Sequence, residues 1–172
     1  MTGTDGRAPR RRPAVELWIA AFIVALDQTT KAIVRATFDL HESVTVVPGF
    51  FDLTRVHNTG AAFGLLNAAD FPFKAVVLIV VAMAALAGVG LYATMLPATE
   101  RLARIGLACI LGGAAGNLID RVTNGHVVDF FDFYWRGWHF WAFNIADAAI
   151  TVGVSLMILD FLGLGHRVSR AV

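Results

Sequence analysis

Acidic side chains set inside apolar sequence are the groups in this chain that could do chemistry. WAFNIADAAI (141–150) places Asp147 at the start of a long apolar run, and VVDFFDF (127–133) sets Asp129 and Asp132 among valines and phenylalanines. DQTTK (27–31) puts Asp27 and Lys31 four apart, on one face of a helix. Two carboxyls that meet in a partly desolvated place resist ionising together and share a proton. One then acts as general base on a water while the other, protonated, polarises a carbonyl. That is the chemistry of an aspartic peptidase. Asp129 and Asp132 cannot both face Asp147, because positions three apart on a strand point to opposite sides. One of them turns inward beside Asp147 and the other is exposed.

Other chemistries lack their spacing. There is no H-E-x-x-H, and His41, His57, His126, His139 and His166 show no ligand pattern, so they read as loop or boundary residues. Ser43, Ser155 and Ser169 stand in no nucleophile-elbow context, and no glycine-rich phosphate loop is present. Cys109 has no cysteine to pair with and reads as a small hydrophobe. No metal and no cofactor are expected.

The elements that must position the acids follow from composition. Of 172 residues, 57% are hydrophobic and only 16% charged, where a soluble domain has about a quarter charged. The apolar residues gather into blocks at about 15–34, 75–95, 102–121 and 145–164. About 20 apolar helical residues cross a bilayer core. The expectation is an all-α polytopic membrane protein with four transmembrane helices, forming a single membrane domain over 1–172. The first block is too long for a signal-peptide core, and no small-residue cleavage site follows it. Arg7, Arg10, Arg11 and Arg12 precede it, Arg101 and Arg104 lie in PATERLAR, and Arg167 and Arg170 end the chain. The positive-inside rule puts all three pieces in the cytoplasm. The connections at about 37–73 and 122–143 then face outward. A net charge of +1 gives no reason to expect nucleic acid.

Neither outward connection is a plain linker. SVTVV and FFDLTRV flank Pro48-Gly49 and read as two short strands. The second is crowded with Tyr134, Trp135, Trp138 and Trp141, the aromatics that collect at a water–lipid boundary. All the polar clusters fall at the outward ends of their spans, so an antiparallel bundle brings them into one layer. Each also has a purely structural account. Asp27 and Lys31 could be a helix-stabilising pair, and Asp120 beside Arg121 a structural ion pair. Gly112 and Gly116 suit close helix packing, and Asn58-Thr59-Gly60 suits a turn. Asn144 can cap a helix with Asp147 at its third position, where an acid complements the helix dipole.

Taken in order, DQTTK (27–31), NTGAAF (58–63), GAAGNLIDR (113–121), VVDF (127–130) and FNIAD (143–147) closely resemble lipoprotein signal peptidase, or signal peptidase II. The resemblance implies an aspartic peptidase of the bacterial cytoplasmic (inner) membrane, with four spans and a small extracytoplasmic β-rich element, a β-cradle. Such enzymes remove the signal peptide from diacylglyceryl-modified prolipoproteins, cutting just before the lipidated cysteine. It further implies Asp129 and Asp147 as the catalytic pair, with Asp27, Asn58, Gly113, Asn117, Asp120, Arg121 and Asn144 binding substrate or supporting the site. Membrane lipid is then a partner, the termini are cytoplasmic, the site lies at the outer face, and a monomer is expected. The alternative from another class is a small proton-coupled transporter whose buried acid relays protons. The missing internal repeat, and polar groups at one rim instead of the midplane, count against it.

Overall fold

The computed structural model describes residues 14–60 and 72–163. The flanking arginines Arg7, Arg10, Arg11, Arg12, Arg167 and Arg170, together with His166, Ser169 and the end of the NTGAAF motif, lie outside the described residues. The described elements are α1 (Ala14–Thr37), β1 (Ser43–Val47), β2 (Phe51–Asn58), α2 (Lys74–Met95), α3 (Arg101–Asn124), β3 (Val127–Trp135), β4 (Trp138–His139) and α4 (Ile145–Phe161).

Helices α1, α2 and α3 are long and apolar enough to cross a membrane. Their surfaces fit that setting: α2 has no buried residue, and Trp18, Phe22, Val80, Val81 and Leu91 are all exposed. Apolar side chains left bare along whole helices belong in lipid, since water would oppose them. Helix α3 is the exception. It buries a row that includes Gly106, Gly112, Gly113, Gly116, Asn117 and Asp120, and α1, α2 and α4 all pack on it.

Its glycines set how closely those neighbours approach. A side-chain carbon at Gly112 would stand 2.9 Å from the Ala20 carbonyl oxygen of α1. At Gly106 it would stand 2.7 Å from the Gly153 carbonyl oxygen of α4, and at Gly113 it would run into the Ala146 carbonyl oxygen. Small residues let membrane helices meet backbone to backbone. Gly112 packs as expected, but Gly116 does more, because a carbon there would lie 2.6 Å from Asp27 Oδ2. It leaves room for a carboxylate as well as for a helix.

The sheet is antiparallel in the order β1-β2-β3-β4. The hairpin expected around Pro48-Gly49 forms, with Gly49 at φ 76°. A second hairpin joins β3 to β4 through Arg136 (φ 49°) and Gly137 (φ 81°). These hairpins are joined by β2–β3 pairing, in which Val56 faces Asp129 and Asn58 faces Val127. Helix α3 runs past its expected end at 121 and stops at Gly125, whose left-handed φ of 75° lets its N–H cap the Arg121 carbonyl. The turn delivers β3 directly from α3. Val34 of α1 packs against Val128 and Phe130 of β3 beneath the sheet.

Candidate active site

Asp129 lies on β3 and Asp147 in the first turn of α4, and three asparagines hold them. Asn144 donates from Nδ2 to Asp129 Oδ1 at 2.6 Å, Asn58 to Asp129 Oδ2 at 3.1 Å, and Asn117 to Asp147 Oδ1 at 2.7 Å. An amide can present either its oxygen or its nitrogen, but each oxygen here faces a group that can only donate. Gly60 N–H reaches Asn58 Oδ1 at 2.9 Å, Asp147 N–H reaches Asn144 Oδ1 at 3.0 Å, and Lys31 Nζ reaches Asn117 Oδ1 at 2.9 Å. All three NH2 groups are therefore turned toward the two carboxyls.

The Asn58 turn and the Asn144 cap are thus both real and both doubly employed. Asn144 and Asp147 form a reciprocal capping box, which satisfies two free N–H groups at the start of α4. The same side chains then reach the carboxyls. Asp129 is only 3% exposed. Burial, and next the charge of Asp147, push its carboxyl up to about 7, while the hydrogen bonds from Asn58 and Asn144 pull the other way. Asp132, three residues on, turns to the opposite side and meets His139 at 3.0 Å.

Behind the pair lies a buried ionic cluster. Lys31 contacts Asp27 Oδ2 and Asp120 Oδ2 at 2.9 Å each, with all three side chains fully enclosed, and Arg35 reaches Asp120 Oδ1 at 3.3 Å. Two acids and two bases balance, as buried charges must. The pairing of Asp120 with Arg121 does not occur. Consecutive helical residues diverge by about 100°, so Asp120 faces α1 while Arg121 turns away. Arg121 donates instead to the Gly60 and Asn117 carbonyl oxygens at 3.0 and 3.4 Å.

A cavity of about 560 Å³ opens between α2, α3, α4 and the β4–α4 connection. Its wall includes Asn58, Asn117, Arg121 and Asp147, with Ala82, Ala114, Phe140 and Ile150 among its apolar part. Asp129 is one hydrogen bond behind the wall, through Asn58. The wall is mostly apolar with a few polar groups, which suits a ligand that is itself largely hydrocarbon.

The structure brings together Asp27, Asn58, Asn117, Asp120, Asp129, Asn144 and Asp147 in one hydrogen-bonded group, with Arg121 beside it and Gly113 making the close α3–α4 contact. Lys31 enters it as the helical partner of Asp27, while Arg35 and Gln28 join without a role assigned from sequence. Gln28 bridges Asp27 Oδ2 and the Gly116 carbonyl oxygen at 3.1 Å each. The cost of a lysine within an apolar span was the available signal for Lys31. His57 and His126 stack with centroids 3.7 Å apart. Burial, then His126 and Arg55, hold His57 below the ordinary histidine value. Among the described residues no group of three or more His, Cys, Asp or Glu is arranged to hold a metal ion.

Apolar helices, an antiparallel sheet at one end and two carboxyls, one buried and one half-buried, define a helical membrane protein with its polar site at the sheet end of the bundle. Known proteins agree with that class. The profile of signal peptidase (SPase) II matches residues 19–163. The lipoprotein signal peptidase of Geobacter metallireducens is 42% identical over 152 residues, covering 88% of this chain and 93% of the relative. That of Desulforapulum autotrophicum is 47% identical over 142 residues, covering 81% and 86%. A bacterial membrane enzyme structure obtained by the in meso method at 2.3 Å superposes with a TM-score of 0.76 at 33% identity, covering 87% of this chain and 88% of that one. A second such structure, at 1.9 Å, gives 0.76 at 30%. The chain belongs to the signal peptidase II family, and is a multi-pass bacterial membrane protein.

Proposed function

We propose that this protein is a membrane-embedded aspartic endopeptidase that removes the signal peptide from diacylglyceryl-modified prolipoproteins, cutting before the lipidated cysteine, with Asp129 and Asp147 as its catalytic pair. The observation that carries this is the convergence of three asparagine amides, each held by an obligate donor, on a buried carboxyl, Asp129, and a half-buried one, Asp147, that lines an apolar cavity. Membership of a peptidase family gives the transporter alternative no support.

With Asp129 pushed up to about 7, the pair holds a proton near neutral pH. The ionised carboxylate takes a proton from a water as its oxygen attacks the scissile carbonyl carbon. The protonated carboxyl gives its proton to the carbonyl oxygen, forming a tetrahedral diol. Collapse breaks the C–N bond, the amine takes the proton the first carboxylate had accepted, and the diol hydroxyl returns its proton to the other. Arg121 and Asn58, on the cavity wall, are suited to hold the substrate backbone in register.

We further propose α4 as a fourth span. Its 17 described residues extend about 25 Å, and the Gly113–Ala146 and Gly106–Gly153 contacts run it antiparallel to α3. The arginines at 7–12, 101, 104, 167 and 170 favour cytoplasmic termini, which puts the sheet and the pair at the outer face of the cytoplasmic membrane. A monomer suffices for this chemistry, and the net charge of +1 offers no attraction for nucleic acid.

The test is incubation of the purified protein, in lipid, with a prolipoprotein whose cysteine carries diacylglycerol, beside the same precursor with that cysteine changed to serine. Each buried methylene contributes roughly 0.8 kcal/mol, so the acyl chains should dominate binding. Cleavage of the lipidated form alone is the expected result. Equal cleavage of both would leave only a general membrane aspartic peptidase.

A further inference from the structure

Lys31 is a fully buried cation that the hydrolytic step does not use. Its ammonium has three N–H bonds and meets three acceptors at 2.9 Å: Asp27 Oδ2, Asp120 Oδ2 and Asn117 Oδ1. Each acceptor leads to one member of the pair. Asp27 Oδ1 receives the N–H of Ala146, the residue before Asp147, at 3.0 Å. Asp120 Oδ2 receives the N–H of Val128, the residue before Asp129, at 3.3 Å. Asn117 donates from Nδ2 to Asp147 Oδ1 at 2.7 Å. One side chain on α1 is thereby tied to the backbone beside both aspartates, although α1 carries neither.

We propose that Lys31 is a positioning residue for peptide cleavage: it fixes the separation of Asp129 and Asp147 and turns the Asn117 amide so that N–H, not oxygen, faces Asp147. The amides of Asn58 and Asn144 are oriented by backbone N–H groups, which no side-chain change removes. Asn117 depends on Lys31, its other contact being the Asn144 amide at 3.3 Å. With Lys31 gone, the longer contact from Asn144 is what still opposes Asn117 turning its oxygen toward Asp147, where it would repel an ionised carboxylate. A cation that merely neutralised Asp27 would have no such effect.

The proposal rests on Asp129 and Asp147 being the cleaving pair, and its test separates the two claims. Asp27→Asn is compared with Asp27→Asn/Lys31→Met, both in lipid with the diacylglyceryl prolipoprotein. An asparagine at 27 can still accept the Ala146 N–H, and Asp120 keeps Arg35, so neither variant strands a buried acid. Misplacing a reacting group by about 1 Å costs on the order of a hundredfold. The double variant should therefore show kcat about a hundredfold below Asp27→Asn, with KM changed less than about twofold on the same reasoning. Its acid limb of kcat against pH should move upward, because a positive charge that resists double protonation of the pair has gone. If Met at 31 prevents folding, Asp27→Asn/Lys31→Gln, equally neutral, should show the same limb shift. Matching kcat and matching acid limbs would overturn the role of Lys31 while Asp129→Asn stays inactive. Cleavage by Asp129→Asn at the parental rate would overturn the pair, and this proposal with it.

Discussion

Among the described residues, ion pairs join α1 to α3 at both ends of the bundle, and the two ends differ in kind. At the sheet end Asp27, Lys31 and Asp120 are fully enclosed, and every acceptor in the cluster also binds a group next to the candidate site. At the opposite end Arg104 Nε meets Glu16 Oε1 at 2.6 Å, with side chains 17% and 26% exposed, and Arg104 also reaches the Leu96 carbonyl oxygen. A buried pair must overcome the desolvation of both charges, and removing one partner strands the other. A partly exposed pair near the membrane boundary keeps access to water and can be cut with little consequence. Among the described residues, the fully enclosed ion pairs lie where they also orient backbone N–H groups beside the candidate site.

The comparison breaks first at the pair itself. Asp129→Asn and Asp147→Asn should each abolish cleavage of a lipidated precursor while insertion and folding persist, since an amide neither takes a proton from water nor shares one. Asp132→Asn should keep substantial activity, as its partner is His139 on the exposed strand β4. An active Asp129→Asn with a dead Asp132→Asn would reverse the assignment within VVDFFDF.

Next in size is the packing that carries α4 to the cluster. Gly113→Ala sets a methyl against the Ala146 carbonyl oxygen and Ile150. Overpacking of this sort costs about 1–3 kcal/mol, and relief requires moving the backbone one residue from Asp147. Loss of most cleavage together with a lower Tm in detergent is expected. Gly88→Ala on α2, where nothing lies within 4 Å, should leave both unchanged.

These contacts also mark how far the sequence could be read. Asp27 and Lys31 were legible as a pair because helical periodicity stacks positions four apart. The partner of Asp120 was not, because adjacency in sequence suggested Arg121 whereas helical rotation sends it to Lys31 and Arg35. Asn144 was legible as a cap, since the cap and its third residue are local. Its hydrogen bond to Asp129 depends on β3 lying beside α4, which local pattern does not specify. The β2–β3 register spans some 70 residues, as in the pairing of Val56 with Asp129. Residue types and the Pro48-Gly49 turn mark β2 as a strand without saying what it pairs with. Family resemblance, not strand alternation, separates Asp129 from Asp132, since alternation alone leaves that choice open.

A smaller effect concerns pH. A carboxyl pushed up to about 7 keeps its proton below that value and loses it above. A pair that needs one proton should then lose activity as pH rises through about 7. The amide of Asn58 favours the ionised form of Asp129, so Asn58→Ala should carry the alkaline limb of kcat/KM upward by about one unit. A limb that stays in place, or moves down, would mean that another group sets it.

The smallest effect belongs to the far end. Arg104→Gln removes the ion pair with Glu16 but keeps a polar side chain able to reach the Leu96 carbonyl oxygen. Exposed and half-exposed pairs contribute about 0.2–1 kcal/mol, so Tm should fall by no more than about 4 °C for a chain of this size. Cleavage should stay within about twofold of the parent, for no hydrogen bond of Arg104 leads toward Asp129 or Asp147. A large loss of activity at unchanged Tm would mean that the two ends of α3 are coupled, and that the contrast between a site cluster and a plain brace is wrong. A large loss of both would mean only that the brace is stronger than its exposure suggests. Following kcat and Tm in the same preparation separates these outcomes.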